Sequence, residues 1–182
     1  MHINSPKDFA KLHHRIIAYL VDSLLSFLLI VTITQTLIFV PLRETIPGAG
    51  QWFNSGWKTE LYTLTTISLP IWFYFGIMEA SSWRATIGKR LLKLQTLSQP
   101  TRQPITPAQA ALRTIIKMLP WELAHLTNNL PVPMWYDPDP GFRIGFAIVP
   151  ILAAAYLILI LTTKNKQSLH DLVARTVVVR RD

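Results

Sequence analysis

The chain has 182 residues, half of them hydrophobic and 15% charged, with a formal net charge of +8 and a mean hydropathy of +0.29. That balance argues against an ordinary soluble domain and for one multi-spanning membrane domain over residues 1–182. The absence of cysteine excludes disulfides, thiolate chemistry and Cys-based metal sites, and the lack of a basic recognition motif argues against nucleic acid as a partner.

The first apolar stretch, residues 16–40, is too long for a signal-peptide core and reads as a retained anchor. It opens beside Arg15 and holds Asp22. An aspartate near a helix centre costs about 2.5–3.5 kcal/mol on insertion scales, whereas each Leu, Ile, Phe or Val returns about 0.3–0.6 kcal/mol. The span can therefore carry one acid, provided that it faces protein. Helical spacing places Arg15, Tyr19, Asp22 and Ser26 on one face, a polar stripe about 16 Å long. In that frame Arg15 either sets the ionisation of Asp22 or anchors the helix at the boundary. Asp22 either binds a proton or small cation, or ties helices together.

Residues 61–80 form a second span with Pro70 as an expected kink, an aromatic cluster at Trp72, Phe73, Tyr74 and Phe75, and Glu79 near its end. Glu79 is a second pathway acid or a boundary charge. Beyond it, Gly88-Lys89-Arg90 lacks the upstream glycine of a phosphate loop, although Lys89 and Arg90 remain candidate charges. The alternation of residues 92–97 suits a short strand, as does the β-branched run at residues 176–180, and their pairing is expected.

Residues 107–127 are long enough to cross but carry Arg113, Lys117, Glu122 and His125. This segment either spans or lies along the interface. If it spans, alternate sides of the membrane hold three, five and five basic residues against two and one, which the positive-inside rule favours, with both termini cytoplasmic. The expected architecture is therefore an all-α multi-pass bundle, four spans rather than three, with a small cytoplasmic β pairing. Glu122 and His125, three residues apart, could relay a proton or hold a metal, but two ligands do not make a metal site. Residues 144–163 form the last span. After it, Ser168 and Asp171 have capping-box spacing; alternatively Asp171 pairs with Arg15, Arg84 or Lys89. The loops at 41–60 and 128–143 place Trp52, Trp57 and Trp135 where interfacial tryptophans belong. No internal repeat is visible.

Taken together, HHRIIAYLVDSLL with Arg15 and Asp22, EASSWRATIGKRLLKLQTL, and SLHDLVARTVVV with Asp171 resemble the RDD family of small bacterial membrane proteins. The resemblance extends over nearly the whole chain. It implies a helical integral membrane fold in the cell (inner) membrane and transport of ligands of unidentified class. One departure stands out: the position after Ala174 is often glycine in the family and is Arg175 here, which puts a tight turn there in question. The functional expectation is a translocator of ions or small solutes, a proton or monovalent cation among them, acting through Arg15, Asp22, Asp171 and Glu79. The alternative is a non-catalytic scaffold that binds lipid, a second copy or another membrane protein. No nucleophile and base pair suggests an enzyme, and no cofactor is expected.

Overall fold

The computed structural model describes residues 9–181; Lys7, one of the basic residues counted above, lies outside them. Three helical stretches are long and apolar enough to cross a membrane: Leu12–Glu44, Gly56–Ala80 and Gly145–Thr162. The first is α1 (Leu12–Leu25), two π-helical segments (Ser26–Val31 and Ile33–Phe39) and α2 (Val40–Glu44). A 3₁₀ turn, Ala49–Asn54, leads to α3 (Gly56–Thr63), a π-helical segment (Leu64–Ser68) and α4 (Leu69–Ala80). The kink expected at Pro70 takes the form of this change in winding, since a proline has no N–H to give the preceding turn. Then follow α5 (Ile87–Leu91), β1 (Leu94–Ser98), α6 (Pro107–Asn129), α7 (Gly145–Thr162), α8 (Leu169–Val173) and β2 (Thr176–Arg180). Leu37 and Ile151, each 69% exposed, show the outward faces of the apolar helices to be made for hydrocarbon. With 23 residues, α6 has the length but not the apolarity of the other three.

The chain divides into two compact units. One comprises Leu25–Ile71 and Leu119–Leu152; the other takes in the chain up to Leu24, Trp72–Met118 and everything from Ala153. Within the first, Gln35 donates to Thr66 Oγ1 (2.8 Å) and accepts from the Tyr62 hydroxyl (2.5 Å), a polar bridge between two π-helical stretches. The last carbonyls of α6 have no helical partners. Arg143 takes up two of them, donating to the carbonyls of Thr127 and Asn128, and donates also to those of Leu130 and Val132 just beyond the helix, all at 2.6–2.9 Å. Gly56 sits so close to that end of α6 that a Cβ there would lie 2.3 Å from the Pro131 carbonyl oxygen.

The second unit is organised on the expected strand pair. β1 and β2 are antiparallel, Leu94 opposite Arg180 and Ser98 opposite Thr176. The observed first strand begins two residues later than the 92–97 segment suggested. Period-2 alternation sends Val177 and Val179, with Leu97, onto one face against Phe9, while Val178 and Leu94 meet Ala10 and Ala18 on the other. Thr96 and Thr176 share this second face.

A repeat invisible in the residue identities is plain in the backbone. Helix α4 ends at Ala80 and α7 at Thr162; α5 starts at Ile87 and α8 at Leu169; β1 starts at Leu94 and β2 at Thr176. Each element returns 82 positions on. Left-handed residues obey the same spacing: Arg84 (φ 53°) with Lys166 (φ 51°), and Lys93 (φ 53°) with Arg175 (φ 51°). So do the N-caps, Thr86 and Ser168. The strand register places Thr96 opposite Val178, its own counterpart, so a local pseudo-two-fold passes through that pair. The tight turn at Arg175 thus forms without the family's glycine, at the steric cost of about 1–2 kcal/mol for a left-handed L-residue.

Candidate functional site

Residues 12–24 of α1 are amphipathic, and what the inner face presents is decided by small and polar residues. Ala18 and Asp22 are buried, each 1% exposed. Ser26 is buried as well, but Tyr19 is largely exposed at the edge of the stripe and stacks on Phe75. Opposite Ala18 and Asp22 lies Gly88. A Cβ there would stand 2.2 Å from the Ala18 carbonyl oxygen and 2.9 Å from Asp22 Cγ, so only glycine permits this approach.

The approach lets Asp22 gather three donors. Its Oδ1 accepts from the Tyr74 hydroxyl and the Gly88 amide, both at 2.7 Å, and its Oδ2 from Thr86 Oγ1 at 2.5 Å. Tyr74 in turn accepts from the Ile87 amide (3.1 Å). All three donors are neutral. The cationic companion expected for Asp22 is absent among the described residues: Arg15 turns away from it, and Lys117 feels Asp22 only after Glu79 and Arg113.

The cations belong to the other two acids. Glu79, wholly buried near the end of α4, accepts at Oε1 from Lys89 Nζ and Lys117 Nζ, both at 2.8 Å, and at Oε2 from Arg113 Nε at 2.6 Å. It is therefore no snorkelled boundary charge. Asp171, equally buried, is clasped by two arginines, Arg113 at Oδ1 and Arg15 at Oδ2. Its Oδ2 also accepts from the Ser168 amide (2.9 Å), completing a capping box. The capping and ion-pair readings of Asp171 are both realised, because a carboxylate has enough lone pairs for each. The strand face closes the network, Thr96 Oγ1 accepting from Lys89 (2.8 Å) and Thr176 Oγ1 from Arg113 (2.7 Å).

Arg113 links the two buried acids and is itself 1% exposed, yet in the sequence it reads as one basic residue of a polar segment. The signal that could have exposed it is Lys117 four residues on: two cations on one helical face call for acids to meet them. Tyr74 and Thr86 carry no local signature that marks them as Asp22 partners. The remaining candidates lie apart from this cluster. Arg90 stacks over the exposed Trp83 ring at 3.9 Å. His125 Nδ1 stands 3.9 Å from Glu122 and 3.4 Å from Ser68 Oγ in the other compact unit. No group of three potential metal ligands occurs among the described residues.

Beyond the spans, burial and charge set the titration. Burial pushes the Asp171 carboxyl up, but Arg113 and Arg15 together hold it well below the usual carboxylate range. Burial pushes the Lys89 ammonium down to about 7 against the pull of Glu79. His170 is driven well below its ordinary value by burial and by the surrounding cations, with Asp171 opposing. A base whose folded pKa is lowered favours the unfolded state once that state protonates. Stability in detergent should therefore fall as pH drops towards 7 through the lowered Lys89 ammonium, again below His170's unfolded value near 6.5, and again below Asp171's unfolded value of 3.8. Melting temperatures from about pH 9 to 2 check this, and His170→Gln should remove only the decline that begins near pH 6.5.

Family comparison matches residues 9–175 to the RDD family. The chain belongs to the RDD family. The match begins ahead of Arg15 and ends after Asp171, so Asp22, Glu79 and Asp171 of this RDD protein all lie within it. No curated protein and no solved structure matches the chain. What this RDD protein adds is the arrangement itself: Arg15 and Asp171 make one pair, while Asp22 stands apart on neutral donors.

Proposed function

We propose that this protein moves protons or monovalent cations across the cell membrane, with Asp22 as the loading carboxylate. The observation that supports this reading is the contrast among Asp22, Glu79 and Asp171, the buried acids of one compact unit. Glu79 and Asp171 are neutralised by fixed cations, whereas Asp22 is held by hydroxyls and an amide that can serve either a carboxylate with a bound cation or a protonated acid. Thr86 and Lys89, three residues apart on one short helix, link Asp22 to Glu79. Four cations (Arg15, Lys89, Arg113, Lys117) gather on two acids, Glu79 and Asp171, and Lys89, whose pKa is pushed down to about 7, is the member of that cluster able to release a proton.

The proposal includes four spans and cytoplasmic termini. Helices α4 and α7 both run towards the strand pair, one leading into β1 and the other into β2. Gln109, at the start of α6, donates to the Ala174 carbonyl beside β2, while Arg143 fastens the end of α6 to the start of α7. Helix α6, about 35 Å long at 1.5 Å per residue, has the length that a fourth crossing needs.

Proteoliposomes under imposed pH gradients, loaded with several cations in turn, test the reading. Asp22→Asn should reduce flux to that of empty liposomes. Unchanged flux in a variant that still melts as wild type does would sink it. A second reading, a membrane scaffold, is favoured by Asp22 fastening the α4–α5 connection to α1. In that case wild-type protein moves nothing, and Asp22→Asn lowers membrane abundance.

A further inference from the structure

Among the described residues, five other than glycine hold left-handed backbone, and every one is basic: Arg84, Lys93, Arg102, Lys166 and Arg175. Backbone geometry alone would select glycine, or asparagine, at such positions, because a Cβ meets the following carbonyl there. A lysine or arginine at all five therefore answers a demand made on the side chain. Arg102 has an internal explanation, its guanidinium lying 5.5 Å from the centroid of the Phe9 ring. The other four have no ion pair among the described residues, and Lys93 and Arg175 are exposed. They are the repeat-related pairs that bracket α5 and α8.

The same two short helices carry apolar side chains in the open, outside the three apolar spans. Leu91 on α5 is 68% exposed and Val173, its counterpart on α8, is 44% exposed, with Leu172 next to Val173 in sequence and the exposed Trp83 in the segment before α5, under Arg90. Each exposed apolar residue is followed two positions later by a left-handed basic one, Leu91 by Lys93 and Val173 by Arg175. Cationic tips next to exposed aliphatic and indole groups match the boundary between phosphate headgroups and acyl chains. A soluble acidic partner would account for the charge but not for the leucines.

We infer that the two repeat-related turns form paired binding sites for anionic phospholipid headgroups, held by Lys93 and Arg175 with Arg84 and Lys166 behind them. Binding is charge-dependent, and the basic residues stand at left-handed positions so that each repeat offers its cation at the same place.

Glycine makes the test selective, because it keeps the left-handed turn while removing the charge. The full-length protein is reconstituted with spin-labelled phosphatidylglycerol or phosphatidylcholine, and the immobilised lipid fraction is read by electron spin resonance. Wild type should select phosphatidylglycerol several-fold, more strongly at low salt. The variant carrying Arg84→Gly, Lys93→Gly, Lys166→Gly and Arg175→Gly should lose that preference with its melting temperature unchanged or raised, and Lys93→Arg should keep it. Equal immobilisation of both lipids by wild type, or undiminished preference in the glycine variant, overturns the inference. So does a lowered melting temperature in the glycine variant, which would assign these side chains to the fold.

Discussion

Asp171→Asn should be the most damaging single-atom change in the protein, lowering stability by about 3–5 kcal/mol, the range for removing one member of a buried ion pair. Both guanidiniums that meet on Asp171 lose an ion-pair partner at once. Arg113 retains Glu79, whereas Arg15 is left with the Lys166 carbonyl alone. Asparagine can still accept from the Ser168 amide, so the loss reports the ion pairs and not the helix cap. Ser168→Ala provides the comparison, since loss of a capping hydroxyl costs about 1 kcal/mol. Thermal unfolding in detergent should rank the two variants far apart. If Asp171→Asn melts no lower than Ser168→Ala, the double arginine clasp contributes nothing.

Gly88→Ala should rival it, for a steric reason. The added methyl would sit 2.2 Å from a backbone oxygen of α1, a contact that no rotamer change can relieve, so α1 and α5 must separate. Overpacking of this kind costs about 3 kcal/mol or more where backbone is the obstacle. Separation also withdraws the Gly88 amide and Thr86 hydroxyl from Asp22, which links the stability loss to any flux that Asp22 supports. Gly50, with open space around its Cβ position, serves as the control: Gly50→Ala should leave melting temperature and membrane abundance unaltered. A wild-type melting curve for Gly88→Ala would mean that the two elements do not approach as described.

What the amino-acid order reveals depends on how local the signal is. Asp22 announces itself because an acid inside an apolar run has few places to go, and TVVVR announces a strand through its β-branched side chains. The 3.6-residue period places Asp22 and Ser26 on the inner face, although Tyr19 falls at its edge. Partnerships are another matter. Arg15 finds Asp171 across 156 positions and Arg113 finds Glu79 across 34, and no periodicity encodes such distances. The natural guess, that Arg15 serves the acid two turns along its own helix, fails because Asp22 is satisfied by neutral donors brought in by α4 and α5. The repeat escapes notice for a related reason. What recurs is backbone conformation, with Tyr74 and Tyr156 as an identical pair and the caps and left-handed residues alike only in kind.

Those two tyrosines also show how one framework is put to different uses. Tyr74 serves a carboxylate, whereas Tyr156 donates at 2.5 Å to the Ile116 carbonyl. Pro120 inside α6 has no N–H to offer that carbonyl four residues earlier, so the hydroxyl repairs a defect in the helix ladder.

The third residue of α5 is Lys89 and that of α8 is Asp171, opposite signs at matching places. Arg15 reaches over to the acid of the second repeat; a first repeat docked on a copy of itself would offer it a lysine instead. Homotypic union would set two cations together and heterotypic union pairs opposite charges, so the polarity of this one position tells the halves apart.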